Sequence, residues 1–527
     1  MSRRAAVIGG GVESLVAATC LAQAGVPTVL IERRDELGGV RAPWPAAPAS
    51  RVSLVFDDAP SVNVAVARRL RLEGVGLAFE RTPRTLAAID VEGRPLVLSS
   101  DREASARAIA SMSPRDAEAF AAFHGTLDRL ARVLAPLVRR APPREPIDPG
   151  GAWTALRTGG RYLGLDRRDA YALVRWPPMS VADLADEWFE HERLRTLVAT
   201  KALFGVFAGP RSAGTAAVLV LRAAADGGLV PDTSVPRGGS IALVEALAAR
   251  VRSAGVEVRL GVEARRVTVE RGAAAGVELA DGSHLRADVV LSGLDPRRTL
   301  LDLVEPEALA PDLAQRAAHI RARGTMARVL LAVDALPAIS PFQSHGWPDA
   351  LHVVSSVEEL ERGFDAVKYG AWREPLWLEL AARPPGHAEG ARSPGVLSVT
   401  VHRVPPVLRG LGWPEARDPL ADAVLRTLEP VLPGLSSRLV ARHVLTPADF
   451  ERELGLTGGH PWHAELALDQ LWVARPALGL GGYRTPITGL YLCGPGTHPG
   501  VGPLGTSGFW ASRTALAETT RAPRPDR

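Results

Sequence analysis

The chain has 527 residues, 46% hydrophobic and 23% charged, so it is too long for one core and too apolar for a disordered or fibrous protein. Its formal charge of +4 comes from 62 basic against 58 acidic residues, and only Lys201 and Lys368 among the cations are lysines; this leaves no footprint for nucleic acid. The two cysteines, Cys20 and Cys493, lie far apart and argue against a disulfide framework or a dithiol centre, and the histidines show no metal-ligand spacing, so no metal is expected.

Arg3 and Arg4 precede an apolar stretch that could pass for a secretory leader, but Glu13 interrupts it. No uncharged run reaches the ~18–20 residues that span a bilayer. A cytoplasmic protein is expected.

Ala5-Ala6-Val7-Ile8 reads as a buried strand, and Gly9-Gly10-Gly11 follows it at once. A helical pattern runs from Ser14 to Ala24, Gly25 stops it, and Thr28-Val29-Leu30-Ile31 is a second buried strand ending at Glu32. This is a βαβ unit with a dinucleotide fingerprint. Gly9 allows the tight turn, Gly11 lets backbone approach a pyrophosphate, and the helix start supplies N–H groups and partial positive charge. Glu32 suits a ribose 2′-OH. Ser14 stands where the third glycine belongs. The continuation Glu32-Arg33-Arg34-Asp35-Glu36-Leu37-Gly38-Gly39 resembles flavoproteins of the glutathione-reductase type, which implies FAD.

In the middle of the chain, a loop is expected at 142–151, between helical patterns at 116–139 and 181–203. Pro236-Arg237-Gly238-Gly239 leads into a helix from Ile241 to Ala254. Strands follow at 256–260, 266–270, 276–279 and 289–291, with a hairpin at Asp281-Gly282. Segments 376–380 and 396–401 read as strands of a second sheet.

Near the C-terminus, Gly489 to Gly494 reads as a strand, followed by a glycine-rich loop and a helix from near Pro503 to about Glu518. The run Leu490-Tyr491-Leu492-Cys493-Gly494-Pro495-Gly496-Thr497-His498-Pro499-Gly500 resembles the C-terminal FAD signature of the phytoene-desaturase-like flavoproteins. Gly455-Leu456-Thr457-Gly458-Gly459, His463, Leu468-Asp469-Gln470-Leu471, Arg475-Pro476 and Tyr483-Arg484-Thr485-Pro486 are similar to the branch named pyridine nucleotide-disulfide oxidoreductase domain-containing protein 2. The resemblance covers most of the chain and is weakest from about Arg41 to Pro178. Family members usually carry glycine where Ser14 and Val501 stand, and no dithiol supports the family's "disulfide" name.

The resemblance implies an α/β protein: a glutathione-reductase-type, Rossmann-like FAD domain with an inserted α+β substrate domain. The FAD domain is expected at 1–60, 231–315 and 481–527, and the substrate domain at 61–230 and 316–480. FAD contacts are expected from Gly9, Gly11, Ser14, Glu32, Arg33, Gly38 and Gly39, from Ala264 through its backbone, and from Gly494, Thr497, Gly502 and Leu504. The implied activity is that of an oxidoreductase taking a hydride from an apolar substrate, isoprenoid or lipid, onto flavin N5. Peripheral membrane contact would accompany a lipid substrate. Two alternatives stay open: an amine-oxidase-type enzyme, disfavoured by the scarcity of lysine, and a regulatory FAD-binding protein. His498, in the cofactor loop, is the first candidate for proton transfer, with a hydrogen-bonding role in the loop as its alternative. His463 and Asp469 come second; Tyr483 and Arg484 are expected near the cavity, and Arg211 and Arg237 at phosphates or loops.

Overall fold

Four short apolar runs, Ala5–Ile8, Thr28–Ile31, Val289–Ser292 and Leu490–Leu492, are buried along their whole length. Strands of this kind belong in a parallel sheet covered on both faces. In the computed structural model they join Glu257–Arg259 in a five-stranded sheet. Its order is 490–492, 289–292, 5–8, 28–31, 257–259, and every neighbouring pair is parallel. The described residues are 3–47, 50–56, 61–81, 84–90, 92–142, 160, 162, 164–231, 234–339, 347–383, 386–388 and 391–519. The loop expected at 142–151 lies outside them beyond Pro142.

Helices Val12–Gln23, Gly239–Ser253 and Thr506–Thr519 cover one face of this sheet through a core that includes Leu15, Leu21, Leu243, Leu247 and Ala511. The antiparallel strands Ala264–Glu270, Ala273–Leu279 and His284–Arg286 cover the other, with Val267, Val277 and Leu285 packed in one cluster with Ile8 and Ile31. Each such side chain contributes roughly 1.5–3 kcal/mol when fully buried.

The second domain is a mixed seven-stranded sheet in the order 439–445, 326–333, 395–402, 378–383, 350–353, 85–89, 95–99. Only the pair Ala350–Val353 and Thr85–Ile89 is parallel. Helix Trp413–Leu428 packs on one face. Helices Pro114–Arg139, Val181–Trp188, Glu192–Ala202 and Thr215–Asp226 build the core on the other.

Three expectations change. The helix read over 181–203 is two helices, because the buried Asp116 carboxylate accepts the N–H groups of Glu190 (2.9 Å) and His191 (2.8 Å) at the break. The last helix starts at Thr506 rather than near Pro503, since Gly502 and Gly505 hold φ of +89° and +88°, outside helical space. The first FAD-domain segment reaches beyond residue 60: Val62, Val66, Leu70, Leu72 and Leu77 are buried in the same core as Leu15 and Leu243.

Candidate active site

The turn after the first strand needs its glycines for different reasons. Gly9 has φ of +93°, a conformation that side chains resist. A Cβ at Gly10 would lie 2.7 Å from Leu37 Cδ2 and 2.9 Å from Glu32 Oε2. Gly11 is unlike both. It has an ordinary φ of −69°, and a Cβ there would meet nothing within 4 Å. It opens onto a crevice of about 120 Å³, at the start of a helix with no side-chain cap. Open space beside uncapped N–H groups is what a pyrophosphate requires. Glu32 lines the same crevice, its carboxylate fixed by the N–H groups of Gly10 (2.5 Å) and Arg34 (2.9 Å). Gly38 and Gly39 also line it, with the Gly38 N–H donating to Gly10 O at 2.8 Å. These residues fit the adenosine and pyrophosphate half of FAD.

Ser14 lines the crevice and substitutes for a glycine by a simple exchange of space. A Cβ at Gly293, on the neighbouring strand's exit, would stand 1.9 Å from Ser14 Oγ. The bulk missing from residue 293 is supplied by residue 14, so close helix–sheet packing survives.

Glu13 joins the two ends of the chain. Its carboxylate accepts the N–H groups of Gly505 (2.8 Å) and Gly508 (2.7 Å), at the start of the last helix. Burial pushes it up to about 7, against the lowering effect of these N–H groups. The sequence showed this residue only as an interruption of an apolar run. A lone charge in a buried helix face was the available signal.

The C-terminal loop is held by Arg475, a fully buried arginine. Its guanidinium donates to the carbonyls of Thr497 (3.0 Å), Glu465 (2.9 Å), Ala464 (3.1 Å), Pro495 (3.2 Å) and Gln470 (3.3 Å). Thr497 Oγ1 donates to Gly494 O at 2.8 Å. A Cβ on Gly500 would lie 2.2 Å from Arg475 Nε, so the loop closes tightly on this side chain.

The expected contacts divide accordingly. Gly9, Gly11, Ser14, Glu32, Gly38, Gly39 and Leu504 line the crevice, together with His463. His463, whose Nδ1 has no partner among the described residues, is held by burial down to about 4, hence neutral near pH 7. Gly502 lines a second cavity. Gly494 and Thr497 shape the loop from behind without lining either space. Arg33 turns away from the crevice to the end of helix Pro447–Leu454, donating to the carbonyls of Arg452 (3.1 Å) and Glu453 (2.5 Å). Ala264 is buried and outside the lining, two residues beyond Val262, whose N–H donates to Glu32 O at 3.0 Å.

His498 is placed away from both cavities. Its ring is buried against the backbone of Leu137, Val138 and Arg140. Burial, then the Arg475 charge, lowers it to about 4. A neutral ring facing a helix end is poorly placed for proton transfer. The other candidates are structural in position. Asp469 pairs with Arg321 at the surface, and Arg484 donates to Glu518 Oε1 at 2.6 Å. Arg211 and Arg237 face Glu358 and Glu80 at 3.6 and 3.9 Å, and Tyr483 is buried in the core beneath the first helix.

The second cavity measures about 260 Å³ and abuts the C-terminal loop at Gly500, Val501, Gly502 and Leu504. Arg41, Phe56, Trp462 and Leu504 line both it and the crevice, so the two spaces meet at these four residues. Its floor is polar. Arg328, Thr400, Glu379 and His352 sit level with one another on four adjacent strands, and all four face the cavity. Arg328 Nη1 donates to Thr400 Oγ1 at 2.8 Å, and Glu379 Oε2 lies 3.2 Å from His402 Nε2. Burial opposes ionisation of Glu379, yet the His402 hydrogen bond and nearby positive charges hold it below the usual carboxylate range. Lys201 and Arg222 enter from the helices above, while Phe204, Leu229 and Leu466 supply apolar wall. A wholly apolar tunnel, as a hydrocarbon substrate would need, is not what this lining makes. Among the two lysines, Lys368 is on the surface beside Asp365 and Lys201 is in the cavity.

A family model of flavin-containing amine oxidoreductases matches residues 180–501, and one of NAD(P)-binding Rossmann-like domains matches residues 7–66. Pyridine nucleotide-disulfide oxidoreductase domain-containing protein 2 of Rattus norvegicus is 30% identical, over 96% of this chain and 91% of its own. Hydroxyneurosporene desaturase of Cereibacter sphaeroides is 28% identical over 97% of each chain. The structure of putrescine oxidase with bound putrescine superposes with a TM-score of 0.61 over 99% of this chain and 100% of that chain, at 15% identity, a likeness of fold alone.

Proposed function

Since the chain belongs to the flavin-containing amine oxidoreductase family and is an FAD-dependent oxidoreductase, we propose that it takes a hydride from a carbon of a largely apolar small molecule onto flavin N5. The substrate occupies the 260 Å³ cavity, just below the ~300–1,000 Å³ usual for ligand pockets. One observation carries this reading: the cofactor crevice and the second cavity share Arg41, Phe56, Trp462 and Leu504 as common wall. A cofactor held at Gly11 and along this crevice would therefore share a wall with the substrate space.

Bound FAD supplies the hydride acceptor. The chain supplies the rest. The N–H groups at the start of helix Val12–Gln23 hold phosphate, and Glu32 accepts from ribose. Phe56 and Trp462, 4.8 Å apart between ring centroids, exclude water at the junction. Lys201 and Arg222 disfavour a protonated amine in the same space, which weighs against an amine as the substrate.

The experiment is reconstitution of the chain with FAD, followed by anaerobic addition of acyl, isoprenoid and amine compounds. Bleaching of the flavin absorbance by a non-amine supports the proposal. Bleaching by amines alone, or no uptake of FAD, overturns it.

A further inference from the structure

Most cations around the second cavity already have partners. Arg84 lies 3.3 Å from Asp349, Arg328 is bonded to Thr400, and Arg41 donates to Ser240 Oγ at 2.5 Å. Lys201 and Arg222 differ. Neither forms a hydrogen bond or an ion pair with any described residue, although both are half-buried and line the cavity from neighbouring helices. Arg222 rests its guanidinium over the Phe204 ring, 5.0 Å from the centroid, which orients it without satisfying its donors. Two cations held near one another in a partly enclosed space repel, and desolvation adds to the cost unless an anion sits between them.

We infer that the substrate carries an acidic group, seated between Lys201 and Arg222, with its apolar part directed along Phe204 and Leu466 toward Val501 and Leu504. The inference rests on the reading of this cavity as the substrate site. It deepens that reading by naming an amphipathic acid as the substrate class. Charge-assisted hydrogen bonds of this kind are about twice as strong as neutral ones, so the acid would fix which carbon faces the cofactor. Burial and the Arg222 charge lower Lys201 to about 8; Asp226, Glu379 and Arg84 are the other charged groups facing it. Anion binding is therefore expected to weaken as pH rises past about 8, where Lys201 loses its proton.

The test is calorimetric titration of the FAD-loaded full chain with four probes of one chain length: octanoate, octyl phosphate, octanol and octylamine. At least one acid should bind about tenfold or more tighter than octanol, with octylamine weakest, and the stronger acid identifies the head group. Lys201→Met and Arg222→Met should each remove most of that preference and leave octanol unchanged, while Lys201→Arg should keep it. Acids that bind no tighter than octanol, or not at all, overturn the inference, as does a preference that survives both methionine substitutions. Flavin uptake and bleaching, read separately by absorbance, bear on the proposed reaction and not on this head-group preference.

Discussion

Glu13 Oε2 accepts a hydrogen bond from the N–H of Gly508 at 2.7 Å, joining the first turn of the first helix to the first turn of the last. A Cβ on Gly508 would lie 1.9 Å from Glu13 O, so the two helices touch backbone to backbone at the same point. The carboxylate satisfies N–H groups that a helix start otherwise leaves open, and it meets the positive end of the helix dipole.

This contact predicts a pH dependence of stability. Glu13 is raised from 4.5 to about 7, so the folded chain holds its proton more tightly than the unfolded chain. Its contribution is therefore favourable at low pH and is lost as pH climbs from about 4.5 to 7. The loss amounts to about 3 kcal/mol, at 1.36 kcal/mol per pKa unit. In Glu13→Gln, which does not ionise, that slope should vanish. Chemical denaturation of both proteins at pH 5 and pH 8 checks it: the variant should gain on the parent chain by up to ~3 kcal/mol across this range. Parallel curves would show that the carboxylate does not titrate there.

Gly11 separates folding from cofactor binding. Its φ of −69° suits any residue, and a Cβ there meets no protein atom. Gly11→Val should cost no more than about 1 kcal/mol of stability, the range for a changed N-cap residue. It should nevertheless weaken FAD about tenfold or more by filling the phosphate space. Gly9→Val, at φ of +93°, should lose stability as well. Denaturation midpoints and flavin titration, measured on both variants, distinguish the two glycines.

Ser14 and Gly293 should behave as one unit. Gly293→Ala places a methyl 1.9 Å from Ser14 Oγ and is expected to cost about 1–3 kcal/mol by overpacking. In a Ser14→Gly background most of that cost should disappear. A double-mutant cycle giving additive losses would mean that the contact is not shared.

His498 should prove dispensable for chemistry. Removal of a true acid–base group lowers rate by ~10²–10⁴. His498→Leu should leave anaerobic flavin reduction within about tenfold of the parent, because the ring is neutral and lines neither cavity. A larger loss, with FAD affinity unchanged, would restore His498 to the reaction.

Much of this architecture was legible in advance. The strand, glycine turn, helix and Glu32 come from residues adjacent in sequence, and local periodicity encodes such units directly. The four apolar strands of the parallel sheet announce themselves by continuous burial. The second domain was harder to read. Its helices are cut by tertiary contacts, as Asp116 does between Trp188 and Glu192, and propensity carries no trace of a partner many residues away.

The site divides in the same manner. A motif position brings Gly9, Gly11 and Glu32 to the crevice wall, because each sits in its own backbone turn or strand end. His498 falls away from both cavities, because a loop residue can face either way and its ring packs on the backbone at Leu137, Val138 and Arg140. Lys201 and Arg222 carried no motif at all; they look like ordinary surface cations of two helices.

By itself, the sequence determined the nucleotide fold, its cofactor and the meeting of the chain's two ends in one domain, since those depend on short-range patterns of glycine and apolar residues. Only the tertiary structure decided what adjoins the crevice. Charges from two helices and four strands converge there, and convergence is a property of packed elements, set by which faces must be buried together.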